Sequence, residues 1–163
     1  MDKSYFLEIA HYNIWANHIV HNWLHEISDE QWSQKIVSSF DSIGATALHL
    51  AGAERIWLDR LRAVEKPVWL PNKMQPVRTE TLGEWSRASE GLIDFISNVD
   101  PSTLEEILSF KRINGDPVQM KIYHVFAHVF NHSTYHRGQL LMMLRQVGYE
   151  KVSGTDMLVY FRK

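Results

Sequence analysis

Four stretches of this 163-residue chain repeat apolar residues at three- and four-residue spacing, a period that points to amphipathic helices packed on one another. In the first, Phe6, Ile9, Asn13, Ala16, Val20, Trp23, Leu24 and Ile27 make one stripe, and Ser28 and Asp29 supply turn and cap chemistry after it. The second runs from about Asp41 to Ala63, with Ile43, Ala47, Leu50, Trp57 and Leu61 on one side. Pro67, Pro71 and Pro76 then crowd the stretch from Glu65 to Glu80, which is therefore a loop or crossover. Thr81 and Glu84 have capping-box spacing and open a third helix that reaches about Asn98. Beyond Pro101 the period changes. Ile107, Leu108, Phe110 and Ile113 lead to Asn114-Gly115, followed by Val118 and Met120, which predicts a hairpin with both turn residues at positive φ. A fourth helix runs from about Lys121 to Val147 and stops at Gly148. The apolar tail from Met157 to Phe161 is either a short strand or a segment docked on the helices. The predicted fold is all-α. It is a four-helix bundle in one domain, residues 1–163, with a long crossover between helices 2 and 3 and a small β-hairpin before helix 4.

Composition excludes several kinds of function. Lys and Arg number 17 against 19 Asp and Glu, a net charge of −2, so the chain has no surplus of basic charge to neutralise phosphates, and nucleic acid is not an expected partner. The absence of cysteine removes disulfides, Cys-ligated zinc, iron–sulfur clusters and a cysteine nucleophile. The first residues carry Asp2 and Glu8 and no signal-peptide run, and no segment approaches the ~18 uninterrupted apolar residues of a spanning helix. A cytoplasmic protein without a membrane partner is the expectation. Any metal chemistry must then rest mainly on its nine histidines.

Four of these recur every four residues in the last helix: His124, His128, His132 and His136. Each lies one turn beyond the last and about 40° further round the axis. Measured from the centre of the stripe of Val125, Phe126, Val129, Leu140 and Leu144, His136 sits about 40° away and His132 about 80°. His128 and His124, at about 120° and 160°, belong to the solvent side. Only His132 and His136 point inward, and two such imidazoles can present two nitrogens to one ion. Their other use is as polar core residues bonded to a carbonyl or carboxylate. Ser133, Thr134 and Tyr135 lie between them, with no Glu in zincin register, so a zincin-type protease is disfavoured.

A third ligand would come from another helix. His49 is the leading candidate, at the flank of the second stripe about 90° from its centre, although a surface histidine would fit the same angle. Glu54, near the centre of that stripe, needs a partner, either Arg137 or a metal-bound histidine; a salt bridge is expected rather than direct ligation. His21 and His25 also stand four apart but point away from the first stripe. They share an outer side with Leu7 and Ile14 that suits a second subunit better than a metal. Tyr135 and Arg137 flank His136 but point off its face, and no catalytic side chain is assigned.

Three motifs carry a family resemblance. Tyr12, Asn13, Trp15 and Asn17 in the first helix, Leu48, His49, Glu54 and Trp57 in the second, and the run from Asn131 through His132, His136, Arg137 and Gln139 to Leu140 resemble the DinB family. These are the DNA-damage-inducible, DinB/YfiT-like metal-binding bundles. The resemblance implies a divalent metal ion, of nickel or zinc type, held by His49, His132 and His136, and a homodimer. Some members are metal-dependent S-transferases that use a low-molecular-weight thiol such as bacillithiol or mycothiol. The implied activity is therefore a metal-dependent, thiol-transferase-like enzyme acting on a small-molecule thiol and an electrophile. The alternative is a non-catalytic dimeric metal-binding stress-response protein. With no cysteine of its own, the chain would need its thiol from outside.

Overall fold

The computed structural model describes residues 2–162. The first stripe becomes α1 (Lys3–Glu26), started by Asp2, whose carboxylate accepts the Ser4 N–H at 2.9 Å. Ser28 caps a one-turn helix, α2 (Asp29–Ser33), reciprocally with Gln31. Ser42 caps α3 (Ile43–Leu61), and a crossover containing a 3-10 turn at Leu70–Asn72 leads to α4 (Arg78–Asn98). A second 3-10 turn at Pro101–Glu105 precedes the antiparallel pair β1 (Ile107–Lys111) and β2 (Pro117–Lys121). The chain then enters α5 (Ile122–Gln146) and closes with α6 (Met157–Phe161).

Two local expectations need correction. The third helix opens three residues before Thr81, because Arg78 donates to the Ile27 and Ser28 carbonyls at 2.8 and 2.9 Å and anchors the first turn to the end of α1. Thr81 is thus inside the helix, buried and without a side-chain partner, and caps nothing. The hairpin forms, but only Gly115 takes positive φ (94°), since the loop is a three-residue type rather than a two-residue Asn-Gly turn. Of the two readings of the tail, the docked segment holds, as a helical turn: Tyr160 packs its ring on Tyr12 and Trp15 of α1. The end of α5 does follow the sequence. Gly148, at φ 82°, lets the Gly148 and Tyr149 N–H groups return to the Arg145 and Leu144 carbonyls.

α1 and α3 each pack against both α4 and α5. The apolar contacts fall into two clusters, one around Trp23, Leu24, Ile43, Trp85 and Leu144, the other around Phe6, Leu58, Leu92, Ile96 and Phe126. Every long helix buries polar residues between the two clusters: Asn13 and Asn17 on α1, Glu54 on α3, Ser89 on α4, Ser133 and Arg137 on α5. The core is two apolar masses joined by a polar layer.

His21 is not on the outside. It is 8% exposed, with its ring edge-on to Trp85 of α4 at 4.7 Å and its Nε2 buried without a hydrogen-bond partner. α1 lies between two helices, so its buried arc is wider than one stripe. Burial, aided by repulsion from His18 and His25, holds the His21 pKa down at about 4. The folded chain binds this proton less readily than the unfolded chain, so stability is lost as pH falls from about 6.5 toward about 4. One such group costs about 2 kcal/mol between pH 7.5 and pH 5. In urea titrations at these two pH values, His21→Phe should show a stability loss smaller than the wild type's by about that amount. An unchanged difference would mean that His21 is not a buried neutral imidazole.

Candidate metal centre

His132 and His136, one turn apart on α5, face His49 across the seam with α3. One ligand atom from each lies within 4.8 Å of the others, the arrangement needed to hold one metal ion. His136 is buried, and His49 and His132 are half-buried. The Nε2 atoms of His49 and His132 stand 3.0 Å apart, close enough that they must share a proton or turn their lone pairs to a common cation. The Nδ1–H of His136 donates to the Gln139 side-chain carbonyl at 2.7 Å, which leaves its Nε2 as the electron-pair donor. Gln139 is itself fixed by donating to Ser39 Oγ at 2.9 Å.

The walls come from irregular segments. Phe40 stacks on the His49 ring at 4.1 Å, and Trp69 of the crossover meets it edge-on at 5.4 Å. This partial dehydration sets the charge state. Burial, then the neighbouring His136 and His132, pushes the His49 pKa down to about 3. Burial, with His136 and His128 beside it, takes His132 to about 4, and burial also lowers His136. All three imidazoles are therefore neutral near pH 7, the protonation state in which nitrogen binds a metal.

The structure brings together all three residues proposed from sequence. His124 and His128 are both exposed, as their angles required, and the His128 ring also meets that of Trp57 at 5.2 Å. Glu54 is neither a ligand nor in a direct salt bridge with Arg137. Its Oε1 accepts from Asn13, Asn17, Trp85 and Ser133 at 2.9–3.2 Å, and its Oε2 accepts from Ser89. Arg137 donates to the carbonyl oxygens of the same two asparagines, so Asn13 and Asn17 bridge the opposite charges. Sequence reasoning missed Gln139, Phe40 and Trp69. Only Gln139 carried a signal, standing three residues beyond His136 on the same helical face.

Helices that converge three neutral imidazoles on one point define a helical protein with a candidate three-histidine metal centre. The family follows from comparison with known proteins: the DinB family model matches residues 1–162, and the chain belongs to the DinB family. Protein DinB of Bacillus subtilis (strain 168) is 28% identical over 168 residues, covering 97% of this chain and 94% of that protein. Among solved structures, a DinB-like protein from Bacillus cereus ATCC 10987 aligns with TM-score 0.70 at 21% identity, covering 91% of this chain and 94% of that one. A DinB-like protein from Bacillus subtilis aligns with TM-score 0.68 at 13% identity, covering 91% of this chain and 98% of that one. At these identities the structures speak for the fold.

Proposed function

We propose that this chain is a metal-dependent enzyme of thiol-transferase type, with His49, His132 and His136 holding a divalent ion of nickel or zinc type. The observation that carries the reading is the neutral, partly dehydrated histidine trio, with His136 oriented by Gln139. Three neutral ligands leave a divalent ion its full charge and at least one free position, unlike a closed structural site with four protein ligands. A divalent ion held there supplies positive charge that lowers the pKa of a thiol or water brought to it. The chain's own contribution is to fix the imidazoles, to exclude water with Phe40 and Trp69, and to leave the thiol to a small molecule, since it has no cysteine. We read the four long helices as one bundle domain over residues 1–163, working as a homodimer in the cytoplasm. Among the described residues no helix is long and apolar enough to cross a membrane, and neither membrane nor nucleic acid is a proposed partner.

Titration of the cobalt-loaded protein with small thiols tests the reading. A sulfur-to-cobalt absorption band that saturates, followed by turnover with an electrophile such as an epoxide, is the expected result. Cobalt spectra that no thiol perturbs would remove thiol transfer and leave the alternative, a non-catalytic dimeric metal-binding protein. Failure to take up cobalt at all would remove both.

A further inference from the structure

One cleft of this chain is unused by the metal centre. It is a cavity of about 710 Å³ between α3, α5 and the hairpin, within the ~300–1,000 Å³ range of small-molecule sites. Trp57, Phe110, Val118 and Met120 give it apolar walls, and among the described residues Arg60 and Arg112 are its charged members. Among the described residues no acidic one lines it.

Arg60 is the informative member. Its guanidinium lies over the Trp57 ring at 4.7 Å and the Phe110 ring at 4.5 Å, and because these rings meet edge-on at 4.9 Å the planar donor group is held in the angle between them. One of its N–H groups donates to the Lys111 carbonyl at 2.8 Å. Among the described residues no carboxylate pairs with it, although the chain as a whole carries two more acids than bases. A guanidinium has five N–H donors in a fork that matches a carboxylate, so most of this capacity faces the cleft or solvent. His128 lines the same cleft, and its ring stands 5.9 Å from that of His132. The cleft and the candidate centre are thus separated by one side chain.

We propose that this cleft is a binding site for the anionic end of a small aromatic or apolar molecule, with Arg60 as the anchor and Arg112 as the outer cation. Its role as a substrate subsite rests on the metal-centre reading; its binding chemistry does not. The anion is a carboxylate or a group of like shape, its apolar body lies against Trp57 and Phe110, and its far end points past His128 toward His132.

Calorimetry on protein freed of metal by a chelator tests this, with 2-naphthoate as the probe and 2-naphthamide as its uncharged counterpart. The expected result is naphthoate binding at least about tenfold tighter than naphthamide, the worth of one charge-assisted fork. Arg60→Met, which keeps an apolar stem between the rings, should remove that tenfold preference while leaving naphthamide binding in place. Arg112→Ser, in an exposed loop where folding is not at stake, should weaken naphthoate by a few-fold and lower its salt dependence. Equal affinity for the two probes, no detectable naphthoate binding at millimolar concentration, or naphthoate binding indifferent to both substitutions would each overturn the assignment. Because metal is absent from the assay, naphthoate binding by a chain that takes up no cobalt keeps the cleft and refutes the metal centre, and the reverse result does the opposite.

Discussion

His132→Ala, purified without an affinity tag, should lose stoichiometric divalent metal, while His124→Ala should keep it. Removing an outer partner of a metal-bound histidine typically costs about 10–100-fold in affinity, so removing an imidazole itself should cost at least about 100-fold. His49→Ala and His136→Ala should do the same, because each supplies one nitrogen of a trio that has no spare member. Gln139→Ala should fall between: the imidazoles remain, but His136 Nδ1 loses the carbonyl that fixes its tautomer, and affinity should drop about 10–100-fold. His132 is only half-buried, so its circular dichroism and melting transition should survive the substitution and isolate the effect to the site. Metal content by elemental analysis and competition with a chromophoric chelator read out all five variants. Full metal content in His132→Ala would end the three-histidine assignment.

The trio was legible for a geometric reason. An α-helix fixes the angle between residues four apart, so the wheel could separate His132 and His136 from His124 without any tertiary information. His49 was harder, because a flank position faces either solvent or the neighbouring helix, and only the arrangement of α3 beside α5 decides which. The family resemblance had to supply that choice. Glu54 lies beyond what helix periodicity can resolve. Its angle said buried and therefore partnered, but the partners are side chains on three other helices, and their rotation is set by the whole core. Asn13 already sat in the first stripe as a polar intruder, and Asn17 stood one turn on, yet nothing local tied either to Glu54. The start of α4 failed for the converse reason. Thr81 and Glu84 satisfied a local rule, and a tertiary contact from Arg78 to the end of α1 overrode it.

The largest effect on stability should come from Glu54→Leu. The carboxylate is fully buried and accepts five hydrogen bonds, and it is the negative charge that offsets the buried Arg137 through Asn13 and Asn17. Leucine removes the acceptor for every donor at once and leaves the guanidinium buried without a counter-charge. Breaking one side of a buried pair costs about 3–5 kcal/mol, a large share of the ~5–15 kcal/mol that holds a domain together. Urea denaturation should show a midpoint far below the wild type's, or a chain already unfolded at room temperature. The double variant Glu54→Leu/Arg137→Met distinguishes charge from packing. It should recover part of the loss, because the unpaired cation is gone and only the unmatched asparagine, serine and Trp85 indole groups remain. A double variant no better than Glu54→Leu alone would mean that the two charges do not compensate one another. The polar layer also orients the three candidate ligands. Ser133 and Arg137 each adjoin a histidine of the trio, and their bonds to Glu54 and the asparagines fix the rotation of α5 about its axis. Ser133→Ala removes one of these ties at a cost of about 1–3 kcal/mol, little enough to leave a folded chain. In that variant metal affinity should fall although all three imidazoles are present.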